Sequence, residues 1–230
     1  MERKFSAQFI LTVANLSLLI FLLFAIFFVM LFPLIDQKWL YRICILGILI
    51  SAFFCIDFKY RRYMRWLVMG DLLLQGVYFA TDSFVLNSLS KFVMIGLYII
   101  IVILLVKQAA NSKTVSAIVI LESVNGYLMI GMFYSLIIGL IMLFDPEAYQ
   151  FQSYVNNKEE PLTNFREYLY YGFSTFTTVT YGDTLPRSPA AKSVSMAMGF
   201  TGQMYVTIII AMLVSKLQGE LKRPIRKISV

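Results

Sequence analysis

The chain has 230 residues, of which 59% are hydrophobic and 14% are charged. An average soluble domain is about 45–50% apolar and about 25% charged, so this composition excludes an ordinary soluble domain and indicates a protein of the lipid bilayer. The sequence has no histidine and therefore lacks the most common general base and the most common metal ligand of enzymes.

The first apolar run follows the charged start MERKFSAQF and extends from residue 10 to about residue 35. A secretory signal has an apolar region of roughly 7–15 residues, followed by small residues at a cleavage site. This run is longer and has no evident cleavage site, so we interpret it as an uncleaved membrane helix.

Six apolar segments follow one another along the chain, and a helix needs roughly 20 mostly apolar residues to cross a bilayer. They predict an all-α membrane protein with six transmembrane helices. The segments are approximately residues 9–34, 40–58, 66–86, 92–106, 115–144 and 188–217. A half-length segment at residues 164–179, between the fifth and the sixth, is too short to cross the bilayer and too aromatic for an ordinary loop.

Basic residues collect at the chain start, in the second-to-third and fourth-to-fifth links, and after the sixth segment. All these positions lie on one side of the membrane if six segments cross it, whereas the loop after the fifth segment is net acidic. Since cytoplasmic loops carry an excess of lysine and arginine, we expect a multi-pass protein of the cell membrane with both termini cytoplasmic. The basic residues are Arg3, Lys4, Lys59, Arg61, Arg62, Arg65, Lys107, Lys113, Lys216, Lys222, Arg223, Arg226 and Lys227.

The short basic tail at residues 218–230 has two interpretations. The net charge of the chain is +7, and its placement indicates membrane topology rather than a nucleic-acid partner. A basic cluster just inside a membrane also attracts anionic lipid, by roughly 1 kcal/mol per charge. The tail is therefore either a lipid-binding cluster or a topology signal only.

The polar run TVTYGD at residues 178–183 cannot extend the half-length helix through lipid, because Gly182 and Asp183 would break the helix and bury a charge. Non-helical backbone is tolerated at membrane depth only where it is buried in protein or lines a wet cavity. We therefore predict a re-entrant pore helix that enters from outside, stops part-way and returns as extended backbone. Its free carbonyl oxygens suit a dehydrated cation, and the C-terminal dipole of the short helix favours a cation below it.

This order of a helix, an aromatic half-helix, T-V-x-Y-G-D and a second helix resembles the pore module of the tetrameric potassium channel family. The resemblance covers about residues 115–217, and it extends beyond the filter motif. In that family paired aromatic residues brace the filter, two threonines begin it and an aspartate follows it. The matching residues here are Tyr170, Tyr171, Thr177, Thr178 and Asp183.

The resemblance implies where the ions bind. The carbonyl oxygens of Val179, Thr180 and Tyr181, together with the carbonyl and hydroxyl of Thr178, would hold K⁺ in a selectivity filter that ends at Gly182. Four such segments are needed to encircle an ion, and the chain contains one, so the resemblance implies a homotetramer. No cofactor other than the K⁺ ions is expected.

The sixth segment is similar to the inner helix of small bacterial potassium channels, which share a similar G-Q-x-Y stretch followed by an aliphatic run. Gly199 and Gly202 lie near the point where the family's inner helix bends. We expect the inner ends of the sixth helices to form the gate, at about Ala211 and Ser215.

Thr180 departs from the family pattern, which has glycine at this position. A β-branched residue at positive φ is a genuine outlier, and holding it there costs on the order of 1–3 kcal/mol. Either the filter holds Thr180 under strain, or its backbone runs differently at that point. We expect a pore that favours K⁺ less strictly than a glycine filter does, and the alternative is a non-selective monovalent cation channel.

Residues 1–107 resemble a four-helix voltage-sensor domain that lacks its arginine ladder. In voltage-gated channels the fourth helix carries arginines that move through the membrane field. Here the fourth segment has only Lys91 and Lys107, at its two ends. We therefore expect weak or no voltage dependence.

Four polar residues within the apolar segments leave alternatives open. Asp71 and Gln75 share a helix face, and Asp71 forms either an interfacial ion pair or part of a gating or ligand site. Glu122 is expected to pair with Lys113 or with the basic tail. Gln203 either faces a water-filled cavity or bonds a neighbouring helix.

Other functional classes fit the sequence less well. It contains neither G-x-S-x-G nor H-E-x-x-H, so we do not expect an enzyme. Potassium-uptake systems with degenerate filters carry four pore loops in one chain, and this chain has one. A receptor would leave the filter motif without a purpose.

Overall fold

A computed structural model of the protein describes residues 2–56, 63, 65–71, 73, 76, 84–112, 116–151 and 164–221. In these ranges the chain forms six long or medium α-helices and one pair of two-residue strands, and residues 65–71 are also helical. The helices are α1 (Glu2–Leu23), α2 (Leu34–Cys55), α3 (Phe84–Asn111), α4 (Ala117–Phe144), α5 (Phe165–Phe176) and α6 (Pro189–Leu221). The strands are β1 (Tyr149–Gln150) and β2 (Leu185–Pro186), which pair in antiparallel orientation.

Four helical stretches among the described residues are long and apolar enough to cross a membrane. They are Phe9–Leu31, Phe92–Asn111, Ala117–Phe144 and Pro189–Gln218. The apolar helix Trp39–Cys55 is shorter, and the predicted segment 66–86 lies partly outside the described residues. The mostly helical membrane protein that the sequence predicts is therefore supported, whereas the count of six crossings stays a prediction.

Helix ends follow local chemistry. After Leu23 the chain continues as one π-helical turn and one 3₁₀ turn, and it becomes extended at Phe32. Proline restricts the residue before it to extended backbone, so the break falls just before Pro33, and α2 starts directly after it. At the start of α4 the Ser116 hydroxyl accepts a hydrogen bond from the backbone N–H of Val119, at 3.4 Å. This serine satisfies one of the N–H groups that every helix start leaves without a helical partner.

Helix α4 packs against α1, α3, α5 and α6. Three small residues, Gly131, Ser135 and Gly139, recur every fourth position and therefore lie along one face of the helix. Helix α5 lies against this face: a Cβ on Gly131 would be 2.5 Å from the Phe173 ring, and one on Gly139 would be 3.2 Å from the Tyr168 ring. Small residues let membrane helices approach closely, and here they seat the aromatic half-helix.

Helix α1 is bound to α4 by a buried pair of asparagines. The side-chain amide of Asn125 donates to the backbone carbonyl of Asn15 at 2.9 Å and to its side-chain oxygen at 3.2 Å. Polar groups of this kind hold membrane helices together, at about 0.6 kcal/mol on average. The packing of α1 on α4 thus crosses the predicted division between residues 1–107 and 115–217, which stays a prediction as a domain boundary.

The last turn of α3 joins three other helices. The Gln108 amide donates to Glu122 of α4 at 2.5 Å and to the Cys55 carbonyl at the end of α2, at 3.1 Å. The Lys216 ammonium of α6 donates to the carbonyls of Ala109 and Ala110 at 3.1 and 3.0 Å. A cation at a helix C-terminus is favourable, because the last carbonyls carry partial negative charge. Through Lys216, these contacts join α6 to the C-terminal end of α3, near the predicted gate.

The remaining predicted polar contacts are resolved in part. Glu122 is buried and bonds to Gln108, whereas both of its predicted partners, Lys113 and the tail beyond residue 221, lie outside the described residues. Asp71 is fully buried, and Gln75 also lies outside the described residues.

The contact between Gly126 and Tyr205 allows a test of how α4 and α6 pack. A Cβ on Gly126 would be 2.6 Å from the Tyr205 hydroxyl oxygen, and that hydroxyl donates to the Ser123 carbonyl at 2.8 Å. We expect Gly126→Ala to lower the free energy of unfolding by about 1–3 kcal/mol through overpacking. Tyr205→Phe alone should lower it by about 1 kcal/mol through the lost hydrogen bond.

The double variant should be more stable than the sum of these two losses predicts, because phenylalanine removes the atom that the new methyl group meets. Denaturant unfolding of the purified protein in detergent, followed by helical circular dichroism, measures all three variants. Strict additivity would contradict this packing.

Candidate ion-conduction site

The chain leaves α5 at Phe176 and runs without helical structure until α6 begins at Pro189. The N–H of Thr177 donates to the Phe173 carbonyl at 2.9 Å, and the N–H of Thr178 donates to the Thr175 carbonyl at 3.0 Å. These two bonds close the last turn of α5. We call residues 178–183 the filter segment, and the predicted end of α5 at residue 179 is corrected to Phe176, where these bonds terminate the helix.

Every second residue of the filter segment has positive φ. The angles are 62° at Thr178, 43° at Thr180 and 81° at Gly182. A chain in which residues of positive φ recur in this way forms neither the hydrogen-bond ladder of a helix nor that of a strand.

Thr180 takes the backbone conformation that glycine adopts most easily. The sequence left open whether Thr180 is strained or whether the backbone runs differently there. The positive φ of this β-branched residue corresponds to strain. The N–H of Thr180 donates to the Ser174 carbonyl of α5 at 3.0 Å, which helps to hold it. Thr178 also has positive φ, and no residue pattern in the sequence indicates this.

Tyr170 supports the filter segment at two points. Its hydroxyl donates to an Asp183 carboxylate oxygen at 2.6 Å, and its ring stacks on that of Tyr181, with centroids 6.1 Å apart and planes within 5°. The hydrogen bond to Asp183 raises the pKa of the Tyr170 phenol to about 12. The phenol therefore keeps its proton, and remains a donor, to a higher pH than an ordinary tyrosine does.

Tyr171 and Thr177 make their contacts with α5 and the elements next to it, and not with the filter segment. The buried Tyr171 hydroxyl is 2.6 Å from the Ser195 hydroxyl of α6, and its ring contacts Tyr149 edge to face at 5.1 Å. The Thr177 hydroxyl donates back to the Phe173 carbonyl at 2.7 Å. Tyr171 therefore ties α5 to α6 and β1, whereas Thr177 caps the end of α5.

The strand pair β1–β2 joins the chain that follows the filter segment to the chain that follows α4. The N–H of Arg187 donates to the Ala148 carbonyl at 2.7 Å, and its guanidinium donates to the Gln150 side chain at 2.6 Å. This clamp holds the chain after the filter segment to the chain after α4. No sequence signal indicates it, because a two-residue strand is too short to show an alternating pattern.

Gly199 and Gly202 differ in their surroundings. A Cβ on Gly202 would overlap the carbonyl oxygen of Phe176, whereas a Cβ on Gly199 would meet only the Thr175 carbonyl, at 3.9 Å. Gly202 therefore serves the close approach of α6 to the end of α5. Helix α6 is continuous across both glycines, so a bend there stays a prediction, as does a gate at the exposed residues Ala211 and Ser215.

One face of the site is left uncovered by the described residues of a single chain. Val179 is 54% exposed and Tyr181 is 69% exposed. Only 11% of the most apolar stretch of α6 is buried, against 28–39% in the other three candidate spans. The exposed set also includes the polar residues Thr178, Thr180 and Gln203, whose groups cannot face lipid without cost. This face therefore requires water or further protein.

The chemistry available at this site is ion binding by oxygen atoms. Within the described ranges there is no group of three or more histidine, cysteine, aspartate or glutamate side chains arranged to hold a metal. Hard monovalent cations are instead bound by carbonyl and hydroxyl oxygens, which the filter segment supplies.

Comparison with known proteins identifies the same region. A family model described as ion channel matches residues 133–219, which include the end of α4, all of α5, the filter segment and nearly all of α6. No curated protein matches the chain. No solved structure matches it either. The family match supports an ion-channel region within a membrane protein.

The two glycines of α6 form a matched pair for a stability test. We expect Gly202→Ala to lower the free energy of unfolding by about 1–3 kcal/mol, because the new methyl group meets backbone that cannot rotate away. Gly199→Ala has space for the methyl group, and it should raise stability by up to about 1 kcal/mol through higher helix propensity. Denaturant unfolding in detergent compares the two, and equal effects would show that Gly202 has no special packing role.

Proposed function

We propose that the protein is a potassium channel in which four identical chains surround one pore and K⁺ crosses the membrane passively. The observation that carries the proposal is the filter segment itself: exposed, non-helical backbone with positive φ at every second residue, positioned at the end of a half-length helix. The match of this region to an ion-channel family supports it.

In this proposal K⁺ is the substrate, and backbone oxygens replace its water shell. The carbonyls of Val179, Thr180 and Tyr181 and both oxygens of Thr178 supply the sites, and Gly182 completes the filter. The C-terminus of α5 points its partial negative charge toward the inner end of the filter. No other cofactor is proposed.

The exposed face of a single chain supports a homotetramer. A single filter segment offers oxygens on one side of an ion only, and the adjoining face of α6 is the least buried of the candidate spans. Three further copies supply the missing oxygens and cover that face. A heteromeric assembly is not required, because each copy contributes the same segment.

Selectivity and gating extend the proposal. Strained Thr180 leads us to propose a preference for K⁺ that is less strict than in a glycine filter, with a non-selective monovalent cation channel as the second candidate. Helix α3 contains no arginine, which supports weak or absent voltage dependence. Both termini are proposed to be cytoplasmic, with the basic tail available to anionic lipid.

Ion flux from purified protein in liposomes tests the proposed function. We expect potassium uptake down an imposed gradient, with sodium uptake that is slower but measurable, and little dependence on membrane potential. Light scattering in detergent should give the mass of four chains. Protein-free liposomes are the control, and the absence of cation flux from assembled protein would contradict the proposal. Equal potassium and sodium permeability would favour the non-selective channel.

Thr180→Gly tests whether strain at the filter affects stability and selectivity. Relief of strain worth about 1–3 kcal/mol should exceed the entropic cost of glycine, roughly 0.5–1 kcal/mol. We therefore expect higher stability and a higher permeability ratio of potassium to sodium. Thr177→Gly is the matched control: Thr177 has φ −81°, so glycine there relieves nothing and should lower stability. An unchanged permeability ratio in Thr180→Gly would show that strain at Thr180 does not determine selectivity.

A further inference from the structure

A side chain of α6 reaches the inner end of the filter segment. The Gln203 amide donates to the Thr178 hydroxyl oxygen at 2.8 Å. Both residues are exposed within the single chain, so the bond lies on the same uncovered face as the filter carbonyls. The sequence left open whether Gln203 faces a cavity or bonds a neighbouring helix, and the contact found is with the filter segment.

Gly202 makes this contact possible. Because Gly202 has no Cβ, the backbone of α6 lies directly against the Phe176 carbonyl, where a Cβ would overlap the oxygen. The next residue, Gln203, is thereby carried to the end of α5, within reach of Thr178. The glycine and the glutamine together form one docking point between α6 and the filter segment.

The Thr178 hydroxyl is held differently from neighbouring threonine hydroxyls. Those of Thr177, Thr201 and Thr207 each donate to the carbonyl four residues earlier, at 2.7–2.8 Å. The Thr178 oxygen instead accepts a hydrogen bond from the Gln203 side chain. An accepted bond fixes the side-chain rotamer and leaves a second lone pair on the oxygen, which is what a cation ligand needs.

We propose that Gln203 is a positioning residue that orients the Thr178 hydroxyl and, through it, determines how well the inner end of the filter distinguishes K⁺ from Na⁺. This inference rests on the proposed channel function. Without the amide the hydroxyl is free to rotate and to bond backbone carbonyls, as its neighbour Thr177 does. The innermost ion site then loses a fixed ligand, and a site of variable size discriminates less between cations of different radius.

A double-mutant cycle tests the inference. Gln203→Met keeps the length of the side chain but removes the N–H donor, and Thr178→Val keeps the shape of the threonine but removes the hydroxyl. The readout is the sodium-to-potassium permeability ratio, from reversal potentials in planar bilayers. We expect each single variant to raise this ratio by about threefold to tenfold, the range that one hydrogen bond accounts for. The double variant should equal Thr178→Val alone.

Two further variants keep the test decisive. Gln203→Asn retains the amide but is one methylene shorter, so it should reproduce the effect of Gln203→Met if that variant fails to assemble. Thr207→Val, one turn further along the exposed face of α6, removes a hydroxyl whose hydrogen bond among the described residues is to a backbone carbonyl of its own helix, and it should leave the ratio unchanged.

The outcomes separate this inference from the proposed function. If wild-type protein conducts no cations, the channel function itself fails. If wild type conducts and both Gln203 variants assemble with an unchanged ratio, only the positioning role fails. Multiplicative effects in the double variant would likewise overturn it, because they would mean that Gln203 acts independently of Thr178.

Discussion

Backbone that leaves a helix must satisfy its N–H and C=O groups with protein or water, and the filter segment depends on how the surrounding structure meets this constraint. Two hydrogen bonds close α5 where the segment begins, and the Thr180 N–H donates to the Ser174 carbonyl. Tyr170 holds the far end through Asp183, and Gln203 holds the near end through Thr178. The side chains of Val179 and Tyr181 remain exposed on the face that the described residues of a single chain leave uncovered.

All these contacts depend on the position of α5, which packs against α4. The small face of α4 at Gly131, Ser135 and Gly139 admits aromatic rings of α5 that larger residues would exclude. On its other sides α4 is held by α1 through the asparagine pair and joined to α3 through Gln108 and Glu122. The N-terminal helices thus support the position of the site indirectly, through their contacts with α4.

These contacts together explain how two threonines are kept at positive φ. Each is individually unfavourable, and residues in such conformations persist only where the surroundings over-determine them. Thr178 is fixed by its N–H bond to α5 and by Gln203, and Thr180 by its bond to Ser174. The same close contact at Gly202 that orders Thr178 also couples the filter segment to α6, whose far end is bonded to α3 through Lys216.

The sequence alone determined the membrane character, the positions of α4 and α6 to within a few residues, and the location of the half-helix and filter segment. Apolar length, helix-breaking residues and charge are local properties, so they can be read without the fold. Only the tertiary structure decided that Gly202 serves close packing, that Gln203 holds Thr178 and that Asn125 bonds Asn15. These contacts depend on which faces of distant helices meet, and single-sequence patterns carry no information about that geometry.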